Sequence, residues 1–79
     1  MTIEKRIEEL LTEQGAVKVV ELIGISDQGF EDAVQQAVTK ASESISGITG
    51  VEVQTLNARV EAGRISQYRA AVKLAFAVK

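Results

Sequence analysis

Residues 65–78 alternate almost perfectly, and that run constrains the chain more than any other feature. Tyr68, Ala70, Val72, Leu74, Phe76 and Val78 fall on one side. Gln67, Arg69, Ala71, Lys73, Ala75 and Ala77 fall on the other. A period of two held this long marks a β-strand with unlike faces. Residues 51–61 form a second extended run, and Gly63 in the Glu-Ala-Gly-Arg segment is the turn residue between them. In that run Val51 and Val53 point one way, whereas Leu56, Ala58 and Val60 point the other. Such a phase shift predicts a β-bulge, or a strand that changes its cover along its length.

Upstream, residues 17–24 (VKVVELIG) read as a strand ended by Gly24. Val20 and Leu22 lie on one face; Val17, Val19 and Ile23 lie on the other. Both faces are therefore expected to be at least partly covered. Residues 26–46 carry the main helix. Ser26 is the expected N-cap, and Gly47 the expected left-handed C-terminal residue. The apolar stripe is Phe30, Ala33, Val34, Ala37, Val38, Ala41 and Ile45, small enough to sit close to a sheet. Residues 2–14 read as a short amphipathic helix, with Ile3, Ile7, Leu10 and Leu11 at helical spacing and Gly15 as its stop.

The order is β-α-β-β behind an N-terminal helix. The fold class is α+β: an antiparallel three-stranded sheet wrapped around one helix. Residues 1–15 are an amphipathic helical extension and residues 16–79 the domain proper. A strand of a dozen residues spans roughly 40 Å, and a helix of 18 spans roughly 27 Å. The hairpin outruns its own helix. With 79 residues and no cysteine, the chain has neither a large core nor a disulfide to stabilise it. Yet 46% of its residues are apolar, which points to burial between identical subunits.

The same composition removes several functions. There is no histidine, the commonest acid-base group and transition-metal ligand. A net charge of −2, three aromatics and no Lys/Arg cluster argue against nucleic acid. No apolar run approaches a membrane span, and the N-terminus has no secretory pattern, so the expected location is cytoplasmic. GISDQG lacks the spacing of a phosphate loop, and SISG lacks a nucleophile elbow. Asp27, Glu31 and Asp32 gather at a helix start, where the dipole accounts for them without a Ca²⁺ ion. Tyr68 reads as a core or interface aromatic. No catalytic constellation emerges, and the expectation is a protein that is not an enzyme.

Residues 17–78 resemble the dodecin family. The carrying features are Ile23-Gly24 closing the first strand, Ser26 at the helix start, Phe30, and the Ala33, Val34, Ala37 stripe. Val51-Glu52-Val53 and the closing Val72-Lys73-Leu74-Ala75-Phe76 complete them. The resemblance implies a β-α-β-β protomer, twelve of which form a hollow homododecamer. It also implies a flavin ligand (riboflavin or FMN) that is stored or sequestered, not turned over. Flavin-binding dodecins place a Trp just before the Val-Glu-Val segment and a Gln in the last strand. This chain has Gly50 and Arg69 there, which makes these two the candidate cofactor-binding positions. Loss of a stacking ring costs roughly 1–3 kcal/mol, by analogy with bases on aromatics.

Two readings of the pair follow. In one the pocket is reshaped, and Arg69 faces a phosphate or carboxylate. In the other the ligand is lost, Arg69 is solvated or salt-bridged, and Gly50 permits the turn into the strand. The expected function is a non-enzymatic homo-oligomer that sequesters or stores a small ligand. The alternative is a structural assembly without flavin, stabilised by an ion. A secreted stress-response domain of the same β-α-β-β shape would need a signal peptide.

Overall fold

The computed structural model describes residues 16–78. Within them the order is β1 (Ala16–Ser26), α1 (Phe30–Ser42), β2 (Ile48–Glu61) and β3 (Arg64–Val78). The helix expected over residues 2–14 lies outside the described residues. β3 is central in a three-stranded antiparallel sheet of order β1-β3-β2. Among the described residues no helix is long and apolar enough to cross a membrane.

α1 lies on one face of the sheet, chiefly over β1 and β3. Its Ala33, Ala37 and Ala41 are buried against Ala70, Val72 and Leu74 of β3. Val34, Val38 and Ile45 pack around that core from the helix side, with Val20 and Leu22 of β1 and Tyr68 of β3. Phe30 and Tyr68 meet edge to face in a T-shaped pair, centroids 4.9 Å apart at 82°, which pins the helix start to the central strand. The small-residue stripe is what lets the layers approach. Gly24 does not end β1, as its position in the sequence suggests; it continues the strand beneath α1, where a Cβ would meet the Ala33 carbonyl and come within 3.1 Å of Ala37 Cβ.

The helix is shorter than its periodicity implies. It starts at Phe30, not Ser26, with Gly29 as an N-cap that has no side-chain bond. Ser26 is the buried last residue of β1. Its Oγ accepts the N–H groups of Gln28 (2.8 Å) and Gly29 (3.4 Å) and donates to Asp32 Oδ2 at 2.7 Å. The hydroxyl thus closes the β1–α1 turn and holds the first helical turn through its carboxylate, a task related to capping but one turn earlier. At the other end α1 stops at Ser42. Gly47 does adopt φ +80°, but in the link to β2 and not as the helix C-cap.

The β2–β3 hairpin closes on Ala62-Gly63, with Glu61 paired to Arg64 and φ of +52° and +76° at the two turn residues. This is the left-handed pair that a two-residue hairpin needs. The phase shift in β2 is a bulge. The register skips from Val53/Val72 to Thr55/Ala71, leaving Gln54 unpaired. The extra residue restores phase, so Val51, Val53, Leu56 and Ala58 all lie on the helix side. A second irregularity leaves Ser66 unpaired, and its Oγ donates to Arg59 O at 3.3 Å.

The hairpin does outrun its cover. α1 leaves Val51, Val53, Leu56, Val60 and Ile65 exposed on the helix side. On the opposite, outer face Val17, Val19, Ile23 and Ile25 are exposed as well. Cover was expected on both faces of β1; the described residues supply it on one face only. The large side chains fully buried by a single chain are Leu74 and Val72.

Candidate functional site

Strand pairing sets out the outer face in rows. From β1 through β3 to β2 these are Val19–Ala75–Gly50, Glu21–Lys73–Glu52, Ile23–Ala71–Thr55 and Ile25–Arg69–Asn57. Gly50 and Arg69 therefore share this face. They stand six residues apart along β3, about 20 Å at 3.3 Å per residue. One protomer does not bring them together.

Gly50 sits beside Ala75, next to the Glu21–Lys73–Glu52 row. Its backbone is not left-handed, and a Cβ there would find Ala75 Cβ at 3.8 Å, an ordinary contact. Neither the turn into β2 nor crowding requires glycine, so the reading that Gly50 serves the turn fails. A shallow depression of about 160 Å³ covers Gly50, Val19, Glu52, Lys73 and Ala75. A second, of about 450 Å³, continues along the same face over Glu21, Ile23, Thr55 and Ala71 beside the Gln54 bulge.

Arg69 is half-buried, and its Nε donates to Gln67 Oε1 at 2.8 Å. Among the described residues it has no carboxylate within ion-pair distance. Asn57 and Ile25 flank it across the sheet. A half-buried guanidinium beside two amides has donors left for a planar acceptor such as a carboxylate or phosphate. In the sequence Gln67, Lys73 and Glu52 counted only as strand positions, and Asn57 and Glu21 carried no signal. Their signal lay in cross-strand register, which becomes readable only once β3 is known to be central.

The acidic residues near α1 do not converge. Asp32 accepts from Ser26 and from Gln36 Nε2 (3.4 Å), and Asp27 accepts from Gln28 Nε2 (3.0 Å). Among the described residues no three acidic, histidine or cysteine side chains could together hold a metal ion.

These features define a class: a two-layer α+β protomer whose three antiparallel strands curl over one small-residue helix. The chain belongs to the dodecin family, whose sequence pattern matches residues 16–79. It is 27% identical over 59 residues to the dodecin of Thermus thermophilus, covering 75% of this chain and 86% of the relative. The fold is similar to the dodecin of Streptomyces coelicolor, with TM-score 0.82, 28% identity, and coverage of 86% of this chain and 97% of that one. It is also similar to calcium dodecin, a calcium-chelating immunodominant antigen of Mycobacterium tuberculosis. There the TM-score is 0.72, identity 29%, and coverage 82% and 93%.

Proposed function

We propose that the chain assembles into a homododecamer that sequesters a small ligand between subunits, without turnover. The observation that carries this reading is the separation of Gly50 and Arg69. They lie on one face but about 20 Å apart, so they can act on one ligand only when different subunits contribute them. Exposed Val51, Val53, Leu56, Val60 and Ile65 beside the helix supply apolar surface for assembly. The ligand class is a flavin, riboflavin or FMN, held less tightly than where a Trp stacks on the ring. Arg69 favours the phosphorylated form. Residues 1–15 stand outside the family domain. The same reading places the assembly in the cytoplasm.

Native mass spectrometry with an absorbance scan of the same purified sample tests it. The expected result is a mass near twelve subunits that increases on adding FMN. A monomer would overturn the reading. A twelve-subunit species indifferent to flavins would favour a second reading, an ion-stabilised structural assembly. The calcium-chelating relative supports that alternative. Among the described residues of one chain no metal-holding group forms; in that second reading the ion bridges subunits.

A further inference from the structure

β1 and β2 are the two edges of the sheet, and among the described residues neither has a further strand beside it. Each edge lacks what the other carries. The free side of β1 runs along α1, and between them lies a cavity of about 280 Å³. Leu22, Gly24 and Ile25 line it from the strand; Gln36, Ala37 and Lys40 line it from the helix. β3 contributes nothing to it, so the cavity opens at the edge. β2 is the reverse case. Its Val51, Val53 and Leu56 stand on the helix side, yet α1 leaves them 45% to 48% exposed. We propose that β2 of a second copy of this chain adds to the free edge of β1 and sets Leu56 into the cavity beneath the flank of α1.

Three observations select this occupant. The first is width. A helix is about 10 Å across and neighbouring strands lie about 4.8 Å apart, so α1 covers two strands of the three and β2 is left over. In a sheet continued from chain to chain, successive helices stand three strands apart, about 14 Å. The strip between them is one strand wide, and β2 occupies it. The second is the quality of the edge. Over residues 19–26 the pairing of β1 with β3 has no register shift, and the chain has no proline. The helix-side positions there are Val20, Leu22, Gly24 and Ser26, none of them charged. Bulges, prolines and inward charges are what keep a natural edge from pairing, and this edge has none of them. β2 is bulged, but residues 55–59 are a regular run that contains Leu56.

The third is level. β1 and β2 both run antiparallel to β3, so a continued sheet pairs β2 of one copy parallel to β1 of the next. Leu56 and Gly24 share Ala70 as partner and so stand at the same height. An unstaggered join would set Glu52 beside Glu21. A stagger of two residues parts these carboxylates and brings Thr55 to Glu21, Leu56 to Leu22 and Ala58 to Gly24. Leu56 and Ala58 then fill the cavity against Ala37. Two β1 edges meeting about a two-fold axis would also close the cavity, but would leave Val51, Val53 and Leu56 uncovered. The join rests on the assembly reading above in requiring that copies associate; it needs neither a ligand nor twelve subunits.

The chain has no cysteine, so introduced ones report cleanly. Ile23 and Asn57 lie on opposite edges with β3 between them, about 10 Å apart across the sheet, beyond the reach of an intrachain disulfide. In the full chain, Ile23→Cys with Asn57→Cys should oxidise to a ladder of covalent multimers beyond the dimer, with the two peptides joined after digestion. Either single variant should stay unbridged. Bridging by Ile23→Cys alone would mean that two β1 edges meet, and would overturn the proposal. Independently, Leu56→Lys places a charge in the cavity beside Lys40 and should raise the protein concentration needed for assembly about tenfold or more. Leu56 is half-exposed in the single chain, so the protomer itself should fold as before, which circular dichroism checks. Unchanged assembly of that variant overturns the join even where the disulfide fails for reasons of geometry. Native mass spectrometry separates the two readings. An assembled protein indifferent to Leu56→Lys defeats the join and leaves the assembly standing; a monomeric parent chain defeats both.

Discussion

Gly24 lies directly beneath the backbone carbonyl of Ala33, so close that any Cβ at Gly24 would overlap that oxygen. The obstacle is main chain, which cannot rotate aside as a side chain can. Gly24→Ala must therefore push α1 off β1 or bend the strand. Overpacking of this kind costs about 1–3 kcal/mol, read as a lower urea midpoint. Trimming the side-chain neighbour tests the cause: Gly24→Ala with Ala37→Gly should regain little, because the Ala33 carbonyl stays. Full rescue would show that side-chain crowding sets the limit.

Ala62 holds φ +52° beside Gly63 at +76°. A left-handed alanine costs about 1 kcal/mol or slightly more. Asparagine tolerates the region and leads the preferred Asn-Gly pair of such turns. Ala62→Asn should raise thermal stability, whereas Ala62→Val should lower it. The turn is exposed and lies at the far end of the hairpin from Gly50. Ligand affinity should be unchanged in both variants, as a flavin titration would show.

Ser26 joins β1 to α1 through three hydrogen bonds from one buried hydroxyl. Ser26→Ala leaves the Gln28 and Gly29 amides without that acceptor and Asp32 without its donor, at a cost of about 1–3 kcal/mol. Asp32→Asn keeps an oxygen to receive the hydroxyl and should cost less. Hydrogen exchange at Gln28 and Gly29 gives a local readout. Both amides should exchange faster in Ser26→Ala while the centre of β3 stays protected.

Much of this architecture was legible before any coordinates. The alternation of β3, the Ala33–Ala37–Ala41 stripe and the Gly63 turn each obey a local rule, and local rules survive folding. The shift in β2 was legible as an irregularity. That Gln54 bulges so that Leu56 rejoins the face of Val53 required the partner strand. The helix start was misjudged because Ser26 satisfies amides whether it caps a helix or closes a turn. Composition does not distinguish the two. The helix end was misjudged because Ile45 keeps the apolar stripe going beyond Ser42 by packing on the core from a turn. For the site, family resemblance marked Gly50 and Arg69 as positions. It did not disclose that they lie at opposite ends of one face, because that distance is set by the β2–β3 register.

Gly50 leaves room on the outer face beside Ala75. A Cβ there meets Ala75 at ordinary contact distance, and the backbone is not left-handed, so a side chain can start from this position without backbone strain. Gly50→Trp supplies the missing ring, worth about 1–3 kcal/mol by analogy with bases stacked on aromatics. Each 1.4 kcal/mol is about tenfold in affinity, so riboflavin should bind roughly five- to 140-fold tighter in a fluorescence titration. Arg69→Gln removes a charge that neutral riboflavin does not use and FMN does. Gly50→Trp alone should favour FMN, and adding Arg69→Gln should bring the two flavins together. A double variant that stays assembled yet binds neither flavin more tightly would mean that these two positions do not face the ligand.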